Sequence, residues 1–281
     1  MRPAVSIVAL TLALAACIGP PYPRGDIERL YPQPPRPELR SIDIDGRALR
    51  VAVMPGRADG TPLFFIHGSP GDWTAWARYL DSTALAGSGT RYAFDRPGFG
   101  GSMPGAVITD LQQQADHIAA AMRVLEPQRL AVLVGHSLGG PLVAWIALRH
   151  PEQVCGGVMV AGSLAPALEA PRWYNRLAAS WLGRWLAPDE MQWSNDEMLP
   201  LQSELMRLDA AWPSLHRPLI AIQGERDELV DPRTADYVEQ RAPAAWLRVE
   251  RIADQGHFVL WQQPQRVTDA INALPCAAAP G

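Results

Sequence analysis

Residues 135–139 read Gly135-His136-Ser137-Leu138-Gly139, a Gly-x-Ser-x-Gly motif, and this stretch decides the fold. The apolar run at residues 130–134 comes directly before it and is typical of a buried strand. Residues 140–149 follow it with the pattern of a helix. Between a strand and a helix, the two glycines permit a sharp turn that holds the serine hydroxyl above the edge of a sheet. Ser137 is therefore a candidate nucleophile.

Composition narrows the classes to which the chain can belong. Its 281 residues suit one large α/β domain or two small ones, and its 48% of hydrophobic residues can fill a sizeable core. The formal net charge is −4 and no run of basic residues is present, which argues against nucleic acid as a partner.

The first residues have the pattern of a targeting segment. Arg2 precedes a short apolar run that ends in Leu14-Ala15-Ala16-Cys17, and this ending resembles the lipobox of bacterial lipoproteins. The resemblance implies a signal peptide over residues 1–16, cleaved before a lipidated Cys17. We therefore expect a lipid-anchored protein of the cell envelope. Ile18 is not an acidic retention signal, which favours the outer membrane, with the protein facing the periplasm. A plain signal peptide with an incidental cysteine is the alternative. Residues 17–37 are rich in proline and predict a tether.

Beyond the tether, strands and helices alternate over residues 38–281. A hairpin at residues 39–53 precedes βα units whose strands are almost wholly apolar. This pattern predicts an α/β fold with a mostly parallel sheet of eight strands, flanked by helices. Further strands are expected at residues 63–66, 92–94, 130–134, 157–160, 219–222 and 247–252, and helices at residues 74–84, 108–125, 141–149, 232–241 and 264–274.

One segment interrupts the alternation. Residues 163–212 contain no predicted strand and read as a small helical cap over the carboxyl ends of the strands, where such sheets bind ligands. Five tryptophans lie in it, and they admit three interpretations: a core for the cap, an apolar wall for an acyl or aromatic group, or contact with lipid. They are Trp173, Trp181, Trp185, Trp193 and Trp212.

Five short motifs, each after its own predicted strand, resemble the α/β-hydrolase family over residues 38–274. They are His67-Gly68-Ser69-Pro70-Gly71, the turn at residues 95–100, the Ser137 motif, Gly224-Glu225-Arg226-Asp227 and Gly256-His257-Phe258. The resemblance implies a nucleophile, an acid and a base in the chain order Ser…Asp…His.

A serine hydroxyl needs a base within reach, and the base needs an orienting carboxylate. His257 follows the last predicted strand and is the expected base, whereas the other histidines lie in structural motifs, on helices or in a turn. Asp227 ends the turn after the preceding strand, where the resemblance implies the acid. Asp231 and Asp254 compete with it, but Asp231 precedes a proline in a pattern typical of a helix N-cap, and Asp254 suits a polar surface.

The oxyanion of a tetrahedral intermediate needs hydrogen-bond donors. The backbone N–H of Leu138, at a helix N-terminus, is one candidate. The resemblance implies that the N–H of Ser69 is the other, since Pro70 has none to donate. The Asp95-Arg96-Pro97-Gly98-Phe99-Gly100 turn, with Ser102, is interpreted as structural.

These observations predict a serine hydrolase that cleaves a small-molecule carboxylic ester, needs no metal or organic cofactor, and is tethered to a membrane by its lipid. A proline iminopeptidase-like aminopeptidase remains an alternative, although its usual Gly-Gly-Ser-Trp-Gly elbow is absent. A non-catalytic envelope binding protein is another. Acidic residues of the cap could receive a substrate amino group: Glu169, Asp189, Glu190, Asp196, Glu197 and Glu204.

Two cysteines other than Cys17 remain. Cys155 precedes a predicted strand, and Cys276 follows a last helix that descends from the His257 edge. Both should then lie at the edge of the sheet opposite the site. An oxidising periplasm would permit a disulfide between them, and two free thiols are the alternative.

Overall fold

The computed structural model describes residues 27–102, 107–171 and 173–276. One eight-stranded sheet runs through the domain in the order β1-β2-β4-β3-β5-β6-β7-β8. The strands are β1 (Glu38–Ile44), β2 (Arg47–Met54), β3 (Leu63–Ile66), β4 (Arg91–Phe94), β5 (Ala131–His136), β6 (Val154–Val160), β7 (Leu219–Gly224) and β8 (Leu247–Ile252).

The sheet is mostly parallel, which confirms the predicted fold class. Strands β3 to β8 pair in parallel, whereas β2 pairs antiparallel with both β1 and β4. Strand β3 shows why its sequence is apolar throughout: Phe64 and Ile66 enter the core on one face, and Leu63 and Phe65 enter the core on the other. Such burial on both faces is typical of parallel sheets covered by helices.

Helices cover both faces of the sheet. They are α1 (Ile27–Leu30), α2 (Ala77–Leu80), α3 (Leu111–Leu125), α4 (Gly139–Arg149), α5 (Trp173–Ala178), α6 (Trp181–Leu186), α7 (Asp189–Met198), α8 (Leu201–Ala211), α9 (Thr234–Arg241), α10 (Val259–Gln262) and α11 (Pro264–Asn272). Side chains of α3, α4 and α8 belong to one core, and those of α2, α10 and α11 belong to the other. Among the described residues, no helix is sufficiently long and apolar to span a membrane.

The parallel strands place the loops of the candidate site together. Residues that follow β3, β5, β7 and β8 emerge at one edge, because the carboxyl ends of parallel strands share an edge. Helices α5 to α8 lie between β6 and β7 in the chain, in the segment predicted as a cap.

The part of the predicted tether that the structure describes differs from an extended linker. Residues 27–30 form α1, and the side chain of Tyr31 is buried in the domain. The Tyr31 hydroxyl donates to the carbonyl of Ala77 at 2.6 Å, and Arg36 Nε donates to the carbonyl of Tyr31 at 2.8 Å. An aromatic residue with a partner for its hydroxyl gains from burial despite its proline-rich surroundings. Residues 1–26, including Cys17 and the predicted signal peptide, lie outside the described residues.

The two cysteines of the domain form a disulfide. Cys155 and Cys276 are bonded, with their Cα atoms 5.3 Å apart. Strand β6 begins earlier than predicted, so Cys155 lies inside it, at the irregularity in the register between β5 and β6. The bond links the amino end of β6 to the chain after α11, at the edge opposite the candidate site.

Candidate active site

Ser137 occupies the turn between β5 and α4. Its φ angle is +52°, in the left-handed region that costs a non-glycine residue about 1–2 kcal/mol. Its N–H donates to the carbonyl of Val160 and its own carbonyl accepts from Gly140, both at 2.9 Å. Ser137 is partly exposed, while the residues on either side of it are buried. The turn therefore presents the hydroxyl at the carboxyl edge of the sheet, as the motif predicts.

Close packing explains the two glycines of the motif. A Cβ atom on Gly135 would lie 2.1 Å from the carbonyl oxygen of Gly139, and one on Gly139 would lie 2.4 Å from that of Ile66. Both distances are far below van der Waals contact. The turn therefore excludes any side chain at either position.

His257 and Asp227 form a buried pair at the same edge. His257 Nδ1 lies 2.8 Å from Asp227 Oδ2. The other carboxylate oxygen accepts from the backbone N–H groups of Leu229 and Val230, each at 2.9 Å. Burial by itself raises the pKa of Asp227, but the hydrogen bonds and charge of His257 and these two N–H groups outweigh it and lower that pKa. An ionised carboxylate only accepts, so His257 Nδ1 is the donor of this hydrogen bond.

The two competing aspartates have partners elsewhere. Asp231 is held by the backbone N–H and guanidinium of Arg233, which lower its pKa to about 2. Asp254 is exposed and paired with Arg226 at 2.7 Å. Only Asp227, of the three candidates, contacts His257.

His136 holds the His257 loop in place. Burial, reinforced by the neighbouring His257, lowers the pKa of His136 to about 3, so its ring is neutral at neutral pH. Its Nε2 lies 3.0 Å from the carbonyl oxygen of His257, to which it donates. This contact gives His136 a structural role, as expected for that residue.

The chain segments that carry the two predicted oxyanion donors adjoin Ser137. Leu138 directly precedes α4, and the loop after β3 approaches so closely that a Cβ atom on Gly68 would lie 2.9 Å from the Cβ of Ser137. Within the described ranges, no hydrogen bond uses the backbone N–H of Ser69 or Leu138. The loop that carries Ser69 and the first residue after the nucleophile thus adjoin Ser137.

A buried ion pair that the sequence did not reveal lies behind this loop. Arg96 is fully buried and donates from Nη1 and Nη2 to the two carboxylate oxygens of Glu197 on α7, at 2.6 and 2.9 Å. The amide of Gln114 donates to the same carboxylate at 2.7 Å. Sequence reasoning placed Arg96 in a structural turn and Glu197 among the acids that could receive a substrate amine. The two residues are 101 positions apart, and no local pattern in the sequence indicates that they are in contact.

The same ion pair holds the loop that carries Ser69. Arg96 Nη2 donates to the carbonyl of Gly68 at 2.9 Å, and the Ser69 hydroxyl donates to Glu197 Oε2 at 2.7 Å. The Ser69 hydroxyl also lies 3.1 Å from that of Ser194. The cap helix α7 is therefore joined, through buried charges, to the loop predicted to supply an oxyanion donor.

The turn after β4 has the structural role expected of it. Asp95 is buried and accepts from the backbone N–H groups of Trp73 and Gly101 and from Arg50 Nε, at 2.6–2.7 Å. Burial raises the pKa of Asp95, and Arg50 opposes that shift. The Ser102 hydroxyl donates to the carbonyl of Asp95 at 2.7 Å.

The five cap tryptophans occupy three environments. Trp212 is fully buried in the core and Trp193 is half-buried. Trp173, Trp181 and Trp185 are exposed, so most of the cap tryptophans are not core residues.

Comparisons with known proteins identify the family. A family model described as the alpha/beta hydrolase family matches residues 63–270. The chain belongs to the alpha/beta hydrolase family. Its structure is similar to that of a carboxylesterase from Bacillus subtilis, with a TM-score of 0.65 and 19% identity over 89% of this chain and 94% of that one.

Two curated relatives match smaller parts of this chain than the carboxylesterase structure does. The chain is 37% identical to 2-hydroxymuconate semialdehyde hydrolase of Pseudomonas sp. (strain CF600) over 41% of this chain and 43% of that protein. It is 31% identical to mouse (Mus musculus) (lyso)-N-acylphosphatidylethanolamine lipase over 51% of this chain and 44% of that protein. The chain therefore spans less than half the length of these relatives.

Proposed function

We propose that this hydrolase cleaves carboxylic esters through Ser137, His257 and Asp227. The observation that carries the proposal is the buried hydrogen bond between His257 and Asp227. It lies at the same edge of the sheet as Ser137, whose backbone is in the left-handed region. A serine hydroxyl needs such a base, and the base needs such a carboxylate, to act at neutral pH.

The reaction follows from these roles. Ser137 Oγ attacks the ester carbonyl carbon while His257 Nε2 takes the hydroxyl proton. The oxyanion that forms accepts hydrogen bonds from the N–H groups of Leu138 and Ser69. When the intermediate collapses, the C–O bond to the alcohol breaks and His257 returns the proton to that alcohol. A water molecule then attacks the acyl-enzyme, His257 takes its proton, and the carboxylic acid leaves as Ser137 regains a hydrogen.

The aminopeptidase alternative requires a free acid in the cap for a substrate amine. Glu197 is neutralised by Arg96, and Glu204 accepts from the N–H of Leu111 and pairs with Arg207. Glu197 and Glu204 are thus already paired within the protein, and Glu169, Glu190 and Asp196 also have partners. This favours an ester, whose recognition needs no such charge.

A substrate panel tests the proposal. We expect hydrolysis of para-nitrophenyl acetate, butyrate, octanoate or palmitate, and little or no release of nitroaniline from alanyl or prolyl nitroanilide. The Ser137→Ala variant, purified in the same way, controls for contaminating esterases. Turnover of the nitroanilides without turnover of any ester would establish the aminopeptidase instead.

We also propose that Cys17 is lipidated and anchors the enzyme in the bacterial outer membrane, facing the periplasm. Leu14-Ala15-Ala16-Cys17 supports the cleavage site. The Cys155–Cys276 disulfide suits an oxidising compartment.

The anchor predicts a simple labelling result. In a bacterial host given an alkynyl fatty acid, the wild-type chain should carry the label and sediment with membranes. Cys17→Ser should lose the label completely, because the attachment atom is absent. Cys155→Ser is the matched control and should keep the label. A wild-type chain recovered unlabelled in the soluble periplasmic fraction would contradict the anchor.

A further inference from the structure

Helices α5 and α6 carry an unusual concentration of exposed apolar side chains. Five large ones lie within residues 173–186 with exposures of 57–81%: Trp173, Leu177, Trp181, Trp185 and Leu186. The remainder of the described chain has six exposed large hydrophobic residues, and these are scattered. Single exposed apolar residues are normal on protein surfaces, whereas a contiguous group marks an interaction site.

The spacing of these residues gives each helix one apolar outer face. Trp173 and Leu177 are four residues apart on α5, and Trp181 and Trp185 are four residues apart on α6. Residues at this spacing lie on the same side of a helix. Helices α5 and α6 contact each other. Their two apolar faces together are called the α5–α6 face here.

The sequence of this segment points to the occupant of the α5–α6 face. Residues 171–187 include three arginines, at positions 172, 176 and 184, and no acidic residue, although the whole chain has a net charge of −4. Tryptophan prefers the boundary between lipid headgroups and acyl chains, and arginine prefers anionic headgroups. A second copy of this chain would bring two positive segments together, which like charges oppose.

We propose that the α5–α6 face docks on an anionic phospholipid bilayer, with the indoles of Trp181 and Trp185 at headgroup depth. The face belongs to the same cap as α7, whose Glu197 holds the Ser69 loop. Docking would therefore orient the cap toward the membrane. This proposal concerns binding alone, and it stands whether or not the substrate is an ester.

Vesicle flotation tests the proposal on the full-length chain in a Cys17→Ser background, which removes any attached lipid. We expect flotation with vesicles of phosphatidylcholine and phosphatidylglycerol, weaker flotation with phosphatidylcholine alone, and further weakening at high salt. The Trp181→Gln/Trp185→Gln variant should bind roughly tenfold or more weakly, because two indoles no longer leave water. Arg176→Gln should weaken only the binding to anionic vesicles, by about fivefold.

Trp246→Gln is the matched control, since Trp246 is exposed immediately before β8, at the opposite edge of the sheet. It should bind vesicles as its parent does. Hydrolysis of the ester that the parent cleaves best in solution, and the circular dichroism spectrum, should be unchanged in all variants. Equal vesicle binding by the parent and the double tryptophan variant would overturn the proposal. So would a parent dimer that this variant converts to a monomer, because the face would then belong to a second copy.

One measurement keeps the test decisive should the double variant fold poorly. Phospholipids brominated near the headgroup quench the emission of tryptophans that lie at that depth. We expect quenching in the parent chain and in Trp246→Gln, and less quenching in Trp181→Gln alone. An absence of quenching in the parent would also overturn the proposal.

Discussion

Replacement of Ser137 by alanine is expected to lower kcat for ester hydrolysis by about 10⁶-fold, to the limit of detection. The hydroxyl is the only nucleophile proposed for the turn, so its loss leaves His257 with no group to activate. Labelling by a fluorophosphonate should disappear as well. The folded structure should persist, since the left-handed φ angle of residue 137 is somewhat unfavourable for either side chain.

The other two members of the proposed triad should follow the same pattern. His257→Ala should cost a similar factor because the three residues act as a unit. Asp227→Asn should cost about 10⁴-fold, because an amide in that place stabilises the wrong tautomer of the imidazole. Asp231→Asn is a suitable control, since Asp231 is paired with Arg233 and not with His257. Full activity in any triad variant, measured with the best ester of the panel, would remove that residue from the mechanism.

The second large effect is expected at Glu197. Glu197→Ala leaves the buried guanidinium of Arg96 without its carboxylate, and breaking a buried pair in this way costs about 3–5 kcal/mol in the free energy of unfolding. Urea denaturation followed by circular dichroism measures the loss. Asp189→Ala, an exposed acid on the same helix, should change the unfolding free energy by less than about 0.5 kcal/mol.

Rate measurements separate a positioning role of Glu197 from a merely structural one. Glu197 holds the Ser69 hydroxyl, so its loss should displace the Ser69 N–H and lower kcat more than it raises KM. The reduction should reach at most the 10²–10³-fold typical of a lost oxyanion donor. The double variant Arg96→Met/Glu197→Leu removes both buried charges. It should recover most of the lost free energy of unfolding, but kcat should stay low. Recovery of both would show that Glu197 acts only through stability.

Local patterns in the sequence were sufficient to predict much of the fold and the candidate site. The unbroken apolar strands predicted a buried parallel sheet, and the glycines around Ser137 predicted a sharp turn between a strand and a helix. His257 could be placed near Ser137 because parallel strands end at one edge, so that residues following different strands become neighbours. The resemblance to the α/β-hydrolase family indicated Asp227 as the acid. These inferences succeed because backbone geometry and periodicity depend on residues close together in the chain.

Contacts between distant parts of the chain were decided only by the tertiary structure. The Arg96–Glu197 pair joins the turn after β4 to a cap helix. No local pattern around either residue indicates its partner. The packing of Tyr31 on the domain and the exposure of Trp181 and Trp185 were equally invisible. The physical reason is that burial and pairing depend on which surface the folded chain brings opposite a side chain. A segment rich in tryptophan or in acidic residues is compatible with buried side chains and with exposed ones.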